Sequence, residues 1–243
     1  MRVYRIHIDA PLAAGAELKL PERAAGHVIK VLRHRTGDRL TLFDGHGIEA
    51  DAEIISAHRR HGCRVRVLEA RQVSRESPLQ IELIQGLGRG DRMDWVIQKA
   101  VELGVSRISP VVTEHCEVRP GPATSRRMAR WTEILIGACE QAGRAHLPDI
   151  HAPTTLEQLA PACAVRLALD PGAEAGLDRD GRVETGVSVA VGPEGGFSNA
   201  DLAALDGAGF IGVRFGPRVL RTETAGIAAV CALQVLYGDL GGR

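Results

Sequence analysis

The sequence predicts an α/β protein in which helices cover a parallel sheet, preceded by a small β barrel. After residue 73, apolar strands alternate with amphipathic helices, an order typical of a parallel sheet buried on both faces. Before residue 73, short segments carry apolar residues at every second position, as strands of a small barrel do. We therefore predict one domain at residues 1–72 and a second at residues 73–243.

The first domain is predicted from four alternating segments and one helix. The alternating segments are RVYRIHI, RLTLFDG, IEADAEIISA and CRVRVLEARQV, and the helical segment is PERAAGHVIKVLR. The domain carries 13 Lys and Arg against nine Asp and Glu, whereas the whole chain has 30 of each. A basic barrel often presents a nucleic-acid surface, with solvated loop charges as the alternative. The candidate RNA contacts are Arg33, Arg35, Arg59 and Arg60.

The second domain is predicted from strands that are each followed by a helix. The strand LQIELIQGL precedes the helix DRMDWVIQKAVELGV, for which Asp91 is the expected N-cap and Gly104 the expected end. Next come the strand RISPVV, the helix SRRMARWTEILIGACEQAG and the strands VRLALD and VSVAV. A helix from Ser198, the strand IGVRF and the helix TAGIAAVCALQVLYG complete the pattern.

Composition limits the classes of protein that the chain can represent. No apolar run reaches the ~20 residues of a membrane span, and residues 1–7 lack the apolar stretch of a signal peptide. We therefore expect a cytoplasmic protein with no membrane partner. The five cysteines have no C-x-x-C spacing, and His and carboxylate residues show no metal-ligand spacing. We expect reduced thiols and no metal.

The segment GLGRGD, residues 86–91, follows a strand and begins a helix, as a dinucleotide-binding loop does. A G-x-G-x-x-G loop requires glycine at the position of Asp91, whose charge would repel a pyrophosphate. A strand-to-helix turn capped by Asp91 is the preferred interpretation. A nicotinamide- or flavin-dependent oxidoreductase is one alternative function, and an RNA-binding protein that uses only the barrel is another.

Two glycine-rich loops indicate a small-molecule site. VGPEGGFS, residues 191–198, begins at the end of a buried strand, and FGPRVLRTETAG, residues 215–226, follows the next strand. Open α/β sheets bind ligands at the carboxyl ends of their strands, and glycines let the backbone approach a ligand closely. We expect the two loops to meet at the same end of neighbouring strands. A tight turn without a ligand is the alternative for either loop alone.

These two motifs, with HVIKVLRHRTGD, QKAVELGVSRISPV and CEQAGRAHLPDI, carry a resemblance over essentially the full length. The chain resembles the ribosomal RNA small-subunit methyltransferase E family, uridine N3 methyltransferases of the SPOUT class. The resemblance implies a PUA-like RNA-binding barrel followed by a SPOUT methyltransferase domain with a C-terminal trefoil knot. It also implies the cofactor S-adenosylmethionine and a homodimer with its site at the subunit interface. The implied reaction is methylation of N3 of a specific uridine in 16S ribosomal RNA, within the assembled small subunit.

The resemblance assigns residues to the cofactor and to catalysis. The expected cofactor-binding residues are Gly192, Pro193, Glu194, Gly195 and Gly196 in the first loop and Gly216, Val219, Leu220 and Arg221 in the second. Uridine N3 becomes nucleophilic only after its proton leaves. We therefore expect Arg221 to stabilise charge on O2 or O4, and Glu194 or Glu223 to accept the proton or position the base. The alternative is that Arg221 and Glu223 pair with each other or cap a helix.

One tripeptide departs from the family pattern. After the PVVT strand the family tends to have Glu-Arg-Ser, whereas this chain has Glu114-His115-Cys116. Any RNA or dimer contact that the family makes through that arginine is therefore in question here.

Overall fold

The computed structural model describes residues 4–58, 60–177, 183 and 185–241. The chain divides into two compact units. The first consists of Met1–Glu76 with Cys139–Leu147, and the second of Ser77–Ala138 with Pro148–Arg243. The domain boundary at residue 72 stays a prediction. The candidate RNA contact Arg59 lies outside the described residues.

The first unit is built on a mainly antiparallel sheet. Its strands are β1 (Arg5–His7), β2 (Glu17–Lys19), β3 (Arg39–Phe43), β4 (Ile48–His58) and β5 (Gly62–Gln72). Within the described residues their order is β1-β3-β4-β5-β2, and only the β1 and β3 pair is parallel. Helix α1 (Glu22–Gly26) continues into a π-helical turn, His27–Val31. The short strand β2 was not predicted, because its three residues give too little alternation to recognise.

A buried carboxylate organises one end of this unit. Glu49 on β4 is 3% exposed and accepts hydrogen bonds from Arg71 at 2.8 Å, from Arg75 at 2.9 Å and from Arg5. Burial alone would raise the pKa of Glu49, but the hydrogen bonds from Arg75 and Arg5 outweigh it and lower the pKa to about 2. Arg5 also donates to the carbonyl oxygen of Arg144 at 3.0 Å. The cluster therefore ties the segment Cys139–Leu147 to the strands of the first unit.

The second unit is a parallel sheet with helices. Its strands are β6 (Gln80–Gly86), β7 (Arg107–Val112), β8 (Asp149–Ile150), β9 (Thr154–Thr155), β10 (Val165–Leu169), β11 (Gly186–Val191) and β12 (Ile211–Val213). Its helices are α2 (Arg92–Glu102), α4 (Asn199–Gly207), α5 (Thr222–Tyr237) and most of α3 (Thr124–Ala142), whose last four residues belong to the first unit. The described strands run in the order β12-β10-β11-β6-β7-β8, and β9 also pairs with β7. All of these described pairs are parallel, which confirms the predicted α/β class.

The order of the strands corrects one expectation. The strands that precede the two glycine-rich loops, β11 and β12, are not neighbours, because β10 lies between them. Since all three strands are parallel, their carboxyl ends still meet at one edge of the sheet. A third connection, which follows β10, therefore reaches the same edge.

Two helix ends follow the local chemistry predicted from the sequence, and one predicted cap does not form. Ser198 caps α4 through a capping box in which its hydroxyl accepts from the backbone N–H of Asp201. Gly104, at φ +82°, follows the end of α2 as predicted. Asp91 occupies the N-cap position of α2, but the prediction that its side chain caps the helix is wrong. Its backbone, at φ −86° and ψ 6°, lacks the extended conformation of a capping residue, and its carboxylate accepts from Arg130 at 3.0 Å.

A second carboxylate is buried in the middle of the parallel sheet. Glu82 on β6 is 1% exposed and accepts hydrogen bonds from the hydroxyls of Ser109 at 2.7 Å and Ser188 at 2.6 Å. The backbone N–H of Ala162 donates a third bond at 2.6 Å. The two serines belong to β7 and β11, the strands on either side of β6. Three donors thus compensate the burial of this group.

Candidate active site

A cavity of about 640 Å³ lies at the carboxyl edge of the parallel sheet in the second unit. The segments that follow β10, β11 and β12, the beginning of α5 and Arg92 of α2 form its walls. The cavity brings together every residue that the sequence assigned to the cofactor and to catalysis. These residues are Gly192, Pro193, Glu194, Gly195, Gly196, Gly216, Val219, Leu220, Arg221 and Glu223.

Sequence reasoning missed other parts of the lining. The segment Leu169–Pro171, which follows β10, contributes a third wall. The run Asp170-Pro171-Gly172 directly after an apolar strand was the available signal, because it is typical of a turn. The remaining residues that were missed are Arg92, Val191, Phe197, Phe215, Arg218, Thr222 and Ala225.

The glycines let backbone segments approach one another closely. A Cβ on Gly192 would lie 3.0 Å from the backbone of Gly196, and a Cβ on Gly195 would lie 2.8 Å from the Cβ of His115. Gly86, the first glycine of GLGRGD, would meet the backbone nitrogen of Pro193 at 2.5 Å. The end of β6 therefore packs directly on the first glycine-rich loop. This contact explains Gly86 without a dinucleotide.

A buried hydroxyl connects the two glycine-rich loops. Thr222, the first residue of α5, donates its Oγ1 proton to the carbonyl oxygen of Gly192 at 2.5 Å. Oγ1 of Thr222 in turn accepts a hydrogen bond from Nε2 of Gln85 on β6 at 2.8 Å. Thr222 is 7% exposed and Gln85 1% exposed, so these hydrogen bonds are shielded from water. The start of α5 is thereby held against the end of β6 and the first loop.

The carboxylate of Glu194 accepts hydrogen bonds from the GLGRGD segment and from α2. Its Oε1 accepts from the backbone N–H of Arg89 at 2.9 Å and from the guanidinium of Arg92. Burial alone would raise the pKa of Glu194, but these hydrogen bonds outweigh it, so the pKa lies below its ordinary value. A carboxylate held in its charged form by two donors is suited to fix a loop and poorly suited to take a proton.

Arg221 and Glu223 do not pair with each other among the described residues. Arg221 is the N-cap of α5, but its side chain makes no capping hydrogen bond. Its exposed guanidinium has no ion-pair partner within the described part of the chain. Glu223 lies with Oε2 3.8 Å from Nε of Arg92, and this oxygen is buried and accepts no hydrogen bond from a described residue. Among the described lining residues, Arg218 and Arg221 are thus cations without an ion-pair partner, and Glu223 carries an oxygen without a hydrogen-bond donor.

His115, which stands where the family tends to have arginine, contacts the first glycine-rich loop. Nδ1 of His115 lies 3.1 Å from the carbonyl oxygen of Gly195 and 3.3 Å from that of Gly196. The next residue, Cys116, is buried, with Sγ 3.4 Å from Oγ1 of Thr113. When its Nδ1 carries a proton, His115 therefore donates to the loop that lines the cavity.

The described candidate RNA contacts lie on the surface of the first unit. Arg33, Arg35 and Arg60 are exposed, and Arg33 adopts a left-handed backbone conformation at φ +57°. None of the three has an ion-pair partner within residues 4–58 and 60–177 or the rest of the described chain. The exposed arginines 64 and 66 of β5, in contrast, both bond to Glu17. The candidate contacts therefore keep unneutralised charge.

Other kinds of site find no support in the described residues. No group of three or more His, Cys, Asp or Glu side chains there is arranged to hold a metal ion. None of the described helices is both long and apolar enough to cross a membrane. The five cysteines are free thiols.

Comparisons with known proteins extend these observations. A family model described as RNA methyltransferase domain matches residues 75–234, and one described as RNA methyltransferase PUA domain matches residues 20–68. The chain is 32% identical to the ribosomal RNA small subunit methyltransferase E of Buchnera aphidicola, over 98% of each chain. It is 28% identical to the Bacillus subtilis protein of the same name, over 88% of this chain and 89% of the relative.

Solved structures of similar proteins agree with these sequence comparisons. Ribosomal RNA small subunit methyltransferase E from Neisseria gonorrhoeae, bound to S-adenosyl methionine, superposes with a TM-score of 0.89 and is 37% identical. That match covers 98% of this chain and 100% of the other. A Legionella pneumophila protein in complex with the bound cofactor SAM gives a TM-score of 0.93 at 39% identity, over 99% and 100% of the two chains.

Fold, cavity and family models together define an RNA methyltransferase with an N-terminal PUA domain. The sequence relatives identify one family within this class. The chain belongs to the ribosomal RNA small subunit methyltransferase E family.

Proposed function

We propose that the chain uses S-adenosylmethionine to methylate N3 of a specific uridine in 16S ribosomal RNA, within the assembled small subunit. The observation that carries the proposal is the cavity at the carboxyl edge of the sheet, which joins two glycine-rich loops to an unpaired arginine and an available carboxylate oxygen. Two structures of similar proteins, at 39% and 37% identity, contain that cofactor. The cytoplasm, where ribosomes assemble, is the proposed location.

The lining fits a bulky cofactor with a purine ring. Gly192, Gly195 and Gly196 present backbone groups rather than side chains, and backbone donors and acceptors can recognise a purine edge. Val219 and Leu220 add apolar surface on the opposite loop. S-adenosylmethionine, when bound, supplies an electrophilic methyl group on a positively charged sulfur. The protein's own contribution is then orientation and electrostatics.

The acceptor presents the main chemical difficulty, because uridine N3 carries a proton. We assign acceptance of that proton, or of its hydrogen bond, to Glu223, since its Oε2 has no other described donor. Arg221 stabilises the negative charge that spreads to O2 and O4 as the proton leaves, because its guanidinium is not engaged elsewhere. Glu194, already held by Arg89 and Arg92, fixes the cofactor loop.

The test separates binding from chemistry. Glu223→Gln is expected to lower turnover by about 100-fold or more, while the dissociation constant for S-adenosylmethionine changes by less than about threefold. Arg221→Ala, at an expected cofactor-binding residue, is expected to lower turnover by about 100-fold or more at saturating S-adenosylmethionine. Binding is measured by calorimetry, and the methylated nucleotide is mapped by mass spectrometry of 16S RNA. Unchanged turnover in either variant removes that residue from the mechanism. A methyl group on another atom or nucleotide base refutes the proposed specificity.

RNA binding is proposed for the first unit. The unpaired guanidinium groups of Arg33, Arg35 and Arg60 are suited to phosphate contacts, and Arg59 stands beside them in the sequence. A variant with Ala at these four positions is expected to weaken small-subunit binding and to flatten its salt dependence. A matched control carries Ala at positions 64 and 66, whose arginines are neutralised by Glu17. Equal losses in both variants would contradict the assignment.

A homodimer and a trefoil knot complete the proposal. Helix α5 carries apolar residues that are partly or largely exposed at helical spacing, Ile227, Cys231 and Val235, which suits contact with a second copy. Light scattering should give twice the 26.0 kDa mass of the chain. The trefoil knot rests on the family to which the chain belongs.

A further inference from the structure

A second concavity adjoins the proposed cofactor cavity. It has a volume of about 530 Å³, and its lining residues are Arg89, Gly90, Asp91, Arg92, Trp95 and Glu223. Arg92 and Glu223 line both concavities. A ligand in the second concavity therefore lies directly beside the cofactor cavity and shares two side chains with it.

Trp95 gives this concavity a large aromatic surface. The side chain is 51% exposed, whereas Met93, Val96 and Ile97 of the same helix are buried. The ammonium group of Lys99 lies 5.1 Å from the centroid of the indole ring. An indole held in water at the edge of a cavity is a platform on which a flat ring can stack.

The charges around the concavity disfavour a phosphate as its occupant. Each cation there is already paired: Arg89 with Glu117, Arg92 with Glu194, Lys99 with Glu102 and Arg130 with Asp91 and Asp94. No described cation in the lining is left to neutralise an anion. An uncharged, planar group is therefore the better match.

An unsatisfied hydrogen-bond acceptor in the lining further limits the chemical class of the occupant. Oε2 of Glu223 is buried, lies 3.8 Å from Nε of Arg92 and accepts no hydrogen bond from a described residue. The Glu223 side chain is 19% exposed and lines the concavity, so a rotation of its carboxylate lets an occupant donate an N–H to an unsatisfied acceptor. Uracil is planar and uncharged, and its N3–H is such a donor.

We infer that the second concavity binds the target nucleobase, with the uracil ring stacked on Trp95 and its N3–H directed at Glu223. The inference rests on the proposed function, because it places the acceptor of the methyl group. Trp95 is then a binding residue for a base that has left its stack, and it takes no part in proton transfer. The indole sets the affinity for the RNA substrate and leaves cofactor affinity unchanged.

Steady-state kinetics on small subunits that lack the modification test this role. Trp95→Ala is expected to raise KM for the subunit by about 5- to 150-fold, the range measured for loss of one stacked base, with an unchanged dissociation constant for S-adenosylmethionine. Trp95→Phe keeps an aromatic ring, so its KM should lie between those of the wild type and Trp95→Ala. Ile211→Ala, at a residue that is 63% exposed outside both concavities, is the control. An unchanged KM in Trp95→Ala overturns the inference.

Indole fluorescence tests base binding without turnover. A short oligouridylate should quench the emission of the full-length protein, and an abasic oligomer of equal charge should not. Trp131 is 3% exposed and remains in the Trp95→Phe variant, in which the quenching should disappear. Equal quenching by the abasic oligomer, or persistence in Trp95→Phe, overturns the inference. So does a change of oligomeric mass in Trp95→Ala, because Trp95 would then serve contact between copies of the chain.

The two proposals fail in different ways. A wild-type protein that methylates no uridine N3 refutes the proposed function, whereas base-dependent quenching would still support the nucleobase site. Normal uridine methylation with an unchanged KM in Trp95→Ala refutes the nucleobase site alone.

Discussion

Replacing Thr222 by Val tests whether one buried hydroxyl holds the cavity together. The substitution keeps the shape of the side chain but removes the donor to Gly192 O, at 2.5 Å, and the acceptor for Gln85 Nε2, at 2.8 Å. Each buried polar group left without a partner costs about 1–3 kcal/mol. Gln85 Nε2 keeps a weaker contact with the carbonyl oxygen of Gly86 at 3.3 Å, so the total is expected near the lower end, about 2 kcal/mol.

This loss is measurable in two ways. Urea unfolding should show the free energy of unfolding lowered by about 2 kcal/mol, and Tm should fall by roughly 4–8 °C for a chain of this size. If the binding of S-adenosylmethionine must restore the order of the first loop, its dissociation constant rises by up to about 30-fold.

Two matched controls isolate the hydroxyl. Thr222→Ser keeps it and should behave like the wild type in cofactor binding. Thr224→Val makes the same chemical change at an exposed position of the same helix turn and should be nearly neutral. Equal stability and equal cofactor affinity of Thr222→Val and Thr222→Ser would refute the role assigned to the hydrogen bonds.

Two further predictions concern His115 and Glu49. His115→Ala removes a donor to the first glycine-rich loop, so cofactor affinity measured by calorimetry should fall about 2- to 10-fold. His115→Asn should restore that affinity. An unchanged cofactor affinity in His115→Ala would contradict the contact. The pKa of Glu49 is about 2 in the folded protein against an ordinary 4.5, so the unfolded chain takes up the proton first as the pH falls. Its contribution of about 3 kcal/mol is therefore complete above pH 4.5 and is lost between pH 4.5 and 2. Urea unfolding of Glu49→Gln should show a deficit at pH 7 that disappears near pH 2, and a deficit independent of pH would count against the assignment.

The secondary structure could be predicted because local chemistry determines it. The buried strand β11 is apolar except at Ser188, Ser198 has the chemistry of an N-cap, and Gly104 is suited to the left-handed conformation that ends α2. Strand order has no such local signal. Nothing in the sequence indicates that β10 inserts between β11 and β12, so the contribution of Leu169–Pro171 to the cavity was not foreseen.

The roles of the two glutamates also lay beyond the sequence. Glu194 and Glu223 were equal candidates for the uridine, and they differ only through contacts with a segment about one hundred residues earlier in the chain. The backbone of Arg89 and the guanidinium of Arg92 engage Glu194, whereas Glu223 keeps an oxygen without a donor. Distinguishing them required the three-dimensional proximity of α2 to both loops.

The buried carboxylate of Glu82 has a consequence for how the strands align. Apolar parallel strands can slide past one another with little change in burial, but Glu82 lies opposite Ser188 of β11, and a shift by two residues would place it opposite Gly186 or Ala190. Neither offers a side-chain donor, so Glu82 would lose the hydrogen bond from Ser188, and a lost hydrogen bond to a buried charged group costs about 1.5–3 kcal/mol. The same shift would move the end of β6 by about 6.6 Å. Gln85 would then leave Thr222. A polar group remote from the cofactor thus fixes the one alignment in which the cavity walls meet.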